Sequence, residues 1–396
     1  MVIKMKRIQN RMDFLICRPS VGIPVFFLVI YAVFSISFSD FGAWLTGITE
    51  TFLFYIAEIL SGVLLRMGTA KILVSFLVGI CRDMASVLSF LPQTAIFFFL
   101  LKGLDDCGYL ARAVFAMDTF FSRFGLSGNA VLPAVIGCGC SVSAVSASEH
   151  LDSKERKILL DSVPFLICNA RFPVLFFFSE AFFPKHSSPT ALFFYMLSVC
   201  VFFFSALFSS KGKNAPPLIV RLSDYKIPRI RLLFREAKIK SREYLARMAT
   251  VVFLCAVFFR LSSLLTAHFS FTESVTESLL VFFGQQTAFF FRPLGFAEAP
   301  FAAALFSGFF AKENLMFILE MLSPKEFSAL LSFPARVSFT AFAMLYLPCF
   351  PMTSVVFRRY GRKKTLRFLL RSFLLAYGIA FILYTLSGIL VEFVKI

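Results

Sequence analysis

Apolar runs separated by short charged stretches fill the chain from Val21 to Leu390. A helix needs about 20 mostly apolar residues to cross the hydrocarbon core. On that measure Val21–Phe38, Val87–Leu101, Ile158–Ser179, Ala191–Ser209, Met248–Leu265, Val337–Val356 and Ser372–Leu390 predict transmembrane helices. Leu45–Arg66 has an amphipathic pattern, which predicts a helix lying in the outer interface, and Ile72–Ile80 is too short to cross alone. Two further stretches are apolar yet interrupted. Gly125–Ala147 contains Pro133, Gly137 and Gly139; Leu279–Leu322 is broken at Pro293 and Pro300 and carries Lys312 and Glu313. Backbone groups freed at such breaks need neighbouring protein or water. Interrupted segments in corresponding places of two halves point to a transport site. The expected fold is an all-α polytopic membrane protein with broken or re-entrant helices and about seven to nine crossings.

Composition strengthens the membrane setting. The 396 residues are 58% hydrophobic and 16% charged, whereas a soluble domain carries about 25% charged residues. The missing polar surface implies an exterior that largely faces lipid, and the 57 Phe suit it. The net charge of +17 gathers at Lys4–Arg11, Lys211–Arg247 and Arg358–Arg371. These clusters abut apolar runs, the pattern of cytoplasmic loops, and a basic rim attracts anionic lipid headgroups. Membrane lipid is therefore an expected partner and nucleic acid is not. The nine scattered Cys match neither a disulfide scaffold nor a tetrahedral zinc spacing. The basic N-terminus followed by Val21–Phe38 is built like a signal peptide, but no small-residue cleavage motif follows, which predicts a retained first helix.

Gly125–Phe178 and Gly295–Phe357 read as two versions of one unit. Each runs from a Gly-containing interrupted segment through a charged connection to a span that holds a Cys near a Pro. In the first that span reads Val163-Pro-Phe-Leu-Ile-Cys168-Asn-Ala-Arg171-Phe-Pro173, and in the second Leu345-Tyr-Leu-Pro348-Cys349-Phe-Pro351. If the loops Lys154–Lys157, Lys211–Arg247 and Arg358–Lys364 all face the cytoplasm, the Cys168 span leaves it and the Cys349 span enters it. The two units are then inverted repeats. The expected division is a cytoplasmic segment 1–20, a first transmembrane helix and interfacial segment 21–86, and a first repeat 87–210. A basic cytoplasmic linker 211–246 follows, with a surface helix at Ile230–Ala246. The second repeat is 247–356, and a basic loop with a C-terminal transmembrane helix occupies 357–396.

Several residues in these breaks carry candidate chemistry. Cys138 and Cys140 lie two apart, so on a regular helix their thiols point about 200° from each other. Unwinding at Gly137 and Gly139 would let both face one ion. Thiolates are soft ligands that, with carboxylates, suit Fe(II) better than Mg or Ca; the other reading is that Gly, Cys and Ser are small residues that let helices approach. Cys168 and Cys349 carry the same two readings, with a matched Cys-and-Pro setting in both halves. Cys17, Cys81, Cys107, Cys200 and Cys255 lack that setting and read as packing residues. Lys312 and Glu313 lie in an apolar stretch, where charged residues face a cavity or a partner, although a Lys–Glu pair at the interface fits too. Asp105 and Asp106 end a span, either as an entry site for a cation or as a solvated helix end, and Arg171 and Arg292 are candidate partners for them. His150, His186 and His268 fall in loops and carry no metal assignment. No Gly-x-x-x-x-Gly-Lys-Ser/Thr run exists to cradle a nucleotide phosphate, nor any nucleophile elbow or metalloprotease helix. No catalytic or cofactor-binding residue is assigned and an enzyme is not expected.

A series of words in this sequence resembles the FeoB family of bacterial ferrous-iron transporters. They are Leu88-Ser-Phe-Leu-Pro-Gln93, Leu104-Asp-Asp-Cys-Gly-Tyr-Leu-Ala-Arg-Ala113, Gly125-Leu-Ser-Gly128, Gly137-Cys-Gly-Cys140, Cys168-Asn-Ala-Arg-Phe-Pro173, Gly308-Phe-Phe-Ala-Lys-Glu313 and Leu347-Pro-Cys349. The resemblance implies two Gate repeats that move Fe(II) inward across the bacterial cytoplasmic membrane, with Fe(II) as transported substrate and no cofactor. It implies ion-path ligands at Cys140, Cys168 and Cys349. The full metal-site expectation is Cys138, Cys140, Cys168, Cys349, Glu313, Asp105 and Asp106. Three departures bear on it: Cys138 stands where the family usually has an apolar residue, Ser143 where it usually has Pro, and Asp105 where Glu is more usual. The family's G domain is missing from this sequence, so either a nucleotide switch comes from a separate G-domain protein or transport is uncoupled, with a small accessory Feo protein and a homo-oligomer as further expected partners. Mn(II), Zn(II) and Co(II) remain open by ligand type. A Gate-type transporter of another solute such as a nucleoside, and a membrane scaffold that docks a GTPase through Lys211–Arg247, are the alternatives.

Overall fold

Glycine and proline mark where the helices stop and restart. The computed structural model describes residues 16–37, 40–89, 91–210, 229–235, 279–310, 314–320 and 330–394, with isolated positions that include Asp13, Tyr225 and Lys312. The Met248–Leu265 span, the Lys211–Arg247 linker with its Ile230–Ala246 helix, and Glu313 lie wholly or mostly outside the described residues. Regular structure among the described residues is entirely helical.

The leading part comprises α1 (Pro19–Ser37), α2 (Asp40–Arg66), α3 (Lys71–Ser89) and α4 (Leu91–Asp106). Leu45–Arg66 belongs to a 27-residue helix, and its Trp44–Arg66 part is long and apolar enough to cross a membrane. Thr46 and Thr49 turn their hydroxyls onto their own helix, donating to Gly42 O at 3.0 Å and Leu45 O at 2.8 Å. The exposed side chains include Trp44, Ile48, Phe52, Tyr55 and Ile59, with Thr51 and Glu58 among them. The Val87–Leu101 run falls on α3, described through Ser89, and α4, described from Leu91.

The expected first repeat, 87–210, also holds α5 (Tyr109–Phe121), α6 (Val131–Gly139), α7 (Ser141–Ala147), α8 (Ser153–Ser162), α9 (Phe172–Phe182) and α10 (Ser187–Ser210). The expected second repeat, 247–356, holds α11 (Leu279–Ala288), α12 (Ala299–Phe310), α13 (Asn314–Glu320), α14 (Phe333–Leu345) and most of α15 (Phe350–Tyr360), and α16 (Arg362–Val394) lies in the expected C-terminal segment. Both repeats carry the same device. A 3₁₀ turn ends on a left-handed glycine, Gly125 at φ 75° and Gly295 at φ 84°, a conformation that favours residues without Cβ. A broken pair follows in each, α6–α7 and α12–α13, then a second broken pair, α8–α9 and α14–α15, then a long helix.

Packing respects the correspondence. The restarted helix α7 packs on α15, and its counterpart α13 packs on α9; α8 packs on α10 as α14 packs on α16. The halves therefore cross-brace through equivalent contacts. At the centre, the Phe339 ring meets Phe301 at 5.0 Å, Phe296 at 5.1 Å and Phe178 of the first repeat at 5.3 Å, edge-on geometries that aromatic rings prefer. Among the described residues, five helical stretches, Ser153–Phe182 with its Cys168 break included, are long and apolar enough to cross a membrane, and up to seven if the pairs 281–310, bent by 103°, and 333–360, bent by 43°, each count as one. Near the chain start, Asp13 is tied to α5 by Arg112, whose Nε donates to the carboxylate at 2.5 Å and whose guanidinium lies 3.7 Å from the Tyr225 ring.

Candidate functional site

Three cysteines sit where a broken helix restarts. Cys140 is extended (φ −152°, ψ 118°) between α6 and α7: its N–H donates to Ile136 O at 2.7 Å and its own C=O accepts from Ala144 N at 3.1 Å. Cys168 is extended (φ −88°, ψ 169°) before the turn Asn169–Arg171 that leads into α9. Cys349 (φ −63°, ψ 154°) precedes α15, which starts Phe350-Pro351. Contrary to the expectation of unwinding at Gly137 and Gly139, both remain helical and the break falls on Cys140. Gly139 serves a different need, since a Cβ there would lie 2.8 Å from the Phe97 ring of α4.

Cys168 lies within electrostatic reach of Cys138, Cys140 and Cys349, and Cys349 also of Cys140 and Lys312. Cys138, Cys140 and Cys349 border one apolar cluster, and all four thiols are free and half-buried. Among the described residues, however, no three His, Cys, Asp or Glu side chains gather closely enough to hold a metal ion. The thiols share a region and not one coordination shell.

The other expected residues are placed as follows. Asp105 and Asp106 lie at the end of α4, where Lys102 Nζ reaches them at 3.1 Å and 2.8 Å. Arg171 does not pair with those acids; it donates to Pro164 O at 2.6 Å and Leu347 O at 3.1 Å, because the breaks leave carbonyls without helical partners nearby. Arg292 is exposed. Lys312 donates to Leu347 O at 3.0 Å and lies 3.7 Å from the centre of the Tyr346 ring. Sequence reasoning missed Tyr346, whose hydroxyl donates to Leu305 O at 2.8 Å, and the contact of Asn169 Nδ2 with Gln93 Oε1 at 3.4 Å. Their signal was available: each belongs to, or adjoins, one of the words that carry the resemblance.

Comparison with known proteins bears on that resemblance. Residues 87–182 match the Gate family model, described as nucleoside recognition. The Fe(2+) transporter FeoB of Staphylococcus aureus (strain MSSA476) is 27% identical over 397 aligned positions, covering 97% of this chain and 60% of the relative. Nearly the whole chain is similar to FeoB. The FeoB of Methanocaldococcus jannaschii is 28% identical over 87% of the chain and 54% of the relative. That of Legionella pneumophila (strain Lens) is 29% identical over 79% and 43%. The chain thus spans about 60% or less of the length of these relatives. No solved structure matches. The FeoB-like words fall on the breaks of the fold: Gly137–Cys140 on α6–α7, Cys168–Pro173 before α9, Gly308–Glu313 between α12 and α13, and Leu347–Cys349 between α14 and α15. Leu104–Ala113 covers a further one, at Gly108 (φ 82°) between α4 and α5.

Proposed function

We propose that this chain carries a divalent metal ion, Fe(II) foremost, inward across the bacterial cytoplasmic membrane along a path lined by Cys140, Cys168 and Cys349, with Cys138 beside it. The observation that carries the reading is the coincidence of all three thiols with extended backbone at helix restarts. Non-helical backbone at membrane depth is tolerated where it is buried in protein or lines a cavity, and midplane transport sites are built from such discontinuous helices. The spread of the thiols suits transport, which needs sites that bind well enough to enter and weakly enough to leave. Glu313, Asp105 and Asp106 supply negative charge in this proposal, the two aspartates as an entry site at the end of α4. A separate G-domain protein, a small accessory Feo protein and a second copy of the chain are its partners. The relatives named above are Fe(2+) transporters, and nothing in this reading calls for chemical turnover.

The Gate model's description favours a nucleoside as the second reading, and the Asn169–Gln93 amide contact beside Cys168 is the kind of group such a solute would use. The test is anaerobic uptake of radiolabelled Fe(II) into proteoliposomes, with Mn(II), Zn(II), Co(II) and a nucleoside as competitors. Saturable Fe(II) entry that soft divalent ions inhibit and the nucleoside does not is the expected result. Nucleoside uptake without Fe(II) uptake would replace the metal reading.

A further inference from the structure

Two positive charges are buried beside the thiol hinges, and they hold the same atom. Arg171, three residues after Cys168, donates to Leu347 O at 3.1 Å, and Lys312 donates to that same oxygen at 3.0 Å. Arg171 belongs to the first repeat; Lys312 and Leu347 belong to the second. Both cationic residues are only 3% exposed. Leu347 lies two residues before Cys349, just after Tyr346 (φ −57°, ψ −112°) has left the helix α14. A carbonyl has two lone pairs, so it can accept both donors, and hydrogen bonds from charged donors are stronger than neutral ones. Arg171 is anchored at its other end by Pro164 O at 2.6 Å, in the turn that leads to Cys168. Lys312 is anchored over the Tyr346 ring, a favourable place for an ammonium group. Burying charge is costly, and a turn that merely needed its carbonyl satisfied could use a neutral donor.

We propose that Arg171 and Lys312 form a cationic clamp that joins the two repeats at Leu347 and fixes the Cys349 hinge against the Cys168 hinge. They are positioning residues: they act on the thiols through the backbone of the 346–349 turn. The functional meaning rests on the thiol path proposed above, but the clamp itself is measurable without transport.

The experiment uses the full chain with Cys17, Cys81, Cys107, Cys138, Cys140, Cys200 and Cys255 changed to Ser, leaving Cys168 and Cys349. A short bifunctional maleimide is added in detergent without metal, and the joined peptides are quantified by mass spectrometry. Lys312→Met and Arg171→Met should each lower the yield by about fivefold or more, the factor expected when about 1 kcal/mol of positioning is lost. Lys312→Arg, which keeps the charge, should restore it. Arg371→Met, which removes a cation bound elsewhere to Asp161 at 2.7 Å, should leave it unchanged and so reports general unfolding. Where Lys312→Met does not fold, Tyr346→Leu removes the ring under the ammonium and should also lower the yield. Equal yields in the clamp variants and the parent would overturn the clamp, whatever the chain transports. Clamp variants that respond as expected, beside an unaltered chain with all nine cysteines that takes up no ion, would leave the clamp standing and remove the transport reading instead.

Discussion

Side chains of one type are sorted by backbone in this protein. Cys81 and Cys200 lie inside regular helices, whereas Cys140, Cys168 and Cys349 hold extended backbone at restarts. The sequence showed which cysteines stand near Gly or Pro, but not that Lys312 and Arg171 share a carbonyl, because Leu347 is 176 residues from Arg171. Close packing at this scale is testable at Gly308. A Cβ there would lie 2.5 Å from Leu315 Cγ and 2.6 Å from Tyr346 Oη, and overpacking costs about 1–3 kcal/mol. Gly308→Ala should therefore lower the thermal unfolding midpoint in detergent; an unchanged midpoint would mean that the turn yields freely. Outside the spans, burial and the Asp13 carboxylate push the Cys17 thiol above its ordinary value, against a smaller opposing pull from Arg112. The thiolate is the reactive form, so iodoacetamide labelling of Cys17 should have its pH midpoint above about 8.5. Asp13→Asn, which removes one cause, should move that midpoint down, and a midpoint at or below the ordinary value in the parent would contradict the assignment.

The breaks within 125–147 and 279–322 were legible as places but not as positions, and those inside the Ile158–Ser179 and Val337–Val356 runs were not legible as breaks. Val337–Val356 predicts one span, yet the chain bends between α14 and α15 where Pro348 and Pro351 stand, since proline removes a donor and disfavours a helical residue before it. The α6–α7 break was expected at Gly137 and Gly139 and falls on Cys140, while Gly139 stays helical where a Cβ would meet the Phe97 ring. At α2 the amphipathic pattern predicts an interfacial helix, while length and hydropathy make Trp44–Arg66 a candidate span as well. Ser143 gives an element-level test. It occupies the third position of α7, within the first turn, where proline is tolerated. The Ser143 N–H and hydroxyl also hydrogen-bond to the Cys140 sulfur, so Ser143→Pro should cost about 1 kcal/mol, read as a lowered unfolding midpoint, and should change the labelling of Cys140. An unchanged midpoint with unchanged labelling would show that this contact does not hold the break.

Several features pair up across the two units read from the sequence: Gly125 with Gly295, α7 on α15 with α13 on α9, and α8 on α10 with α14 on α16. The matched Gly breaks and Cys-with-Pro words were legible in the chain, whereas which helices touch was not, because those contacts join residues far apart in sequence. The cross-bracing places the Cys140, Cys168 and Cys349 hinges in one region although they are contributed by both halves. What they do there is the central claim, and the most direct measurement is the initial rate of anaerobic Fe(II) uptake by proteoliposomes holding the chain with Cys140, Cys168 and Cys349 all changed to Ala. Alongside it runs a control in which Cys81, Cys107 and Cys200 are changed instead. A rate reduced by about tenfold or more in the hinge variant, the effect of roughly 1.4 kcal/mol, with the control unchanged, is the predicted result. Equal rates in the hinge variant, the control and the parent would contradict a thiol-lined path.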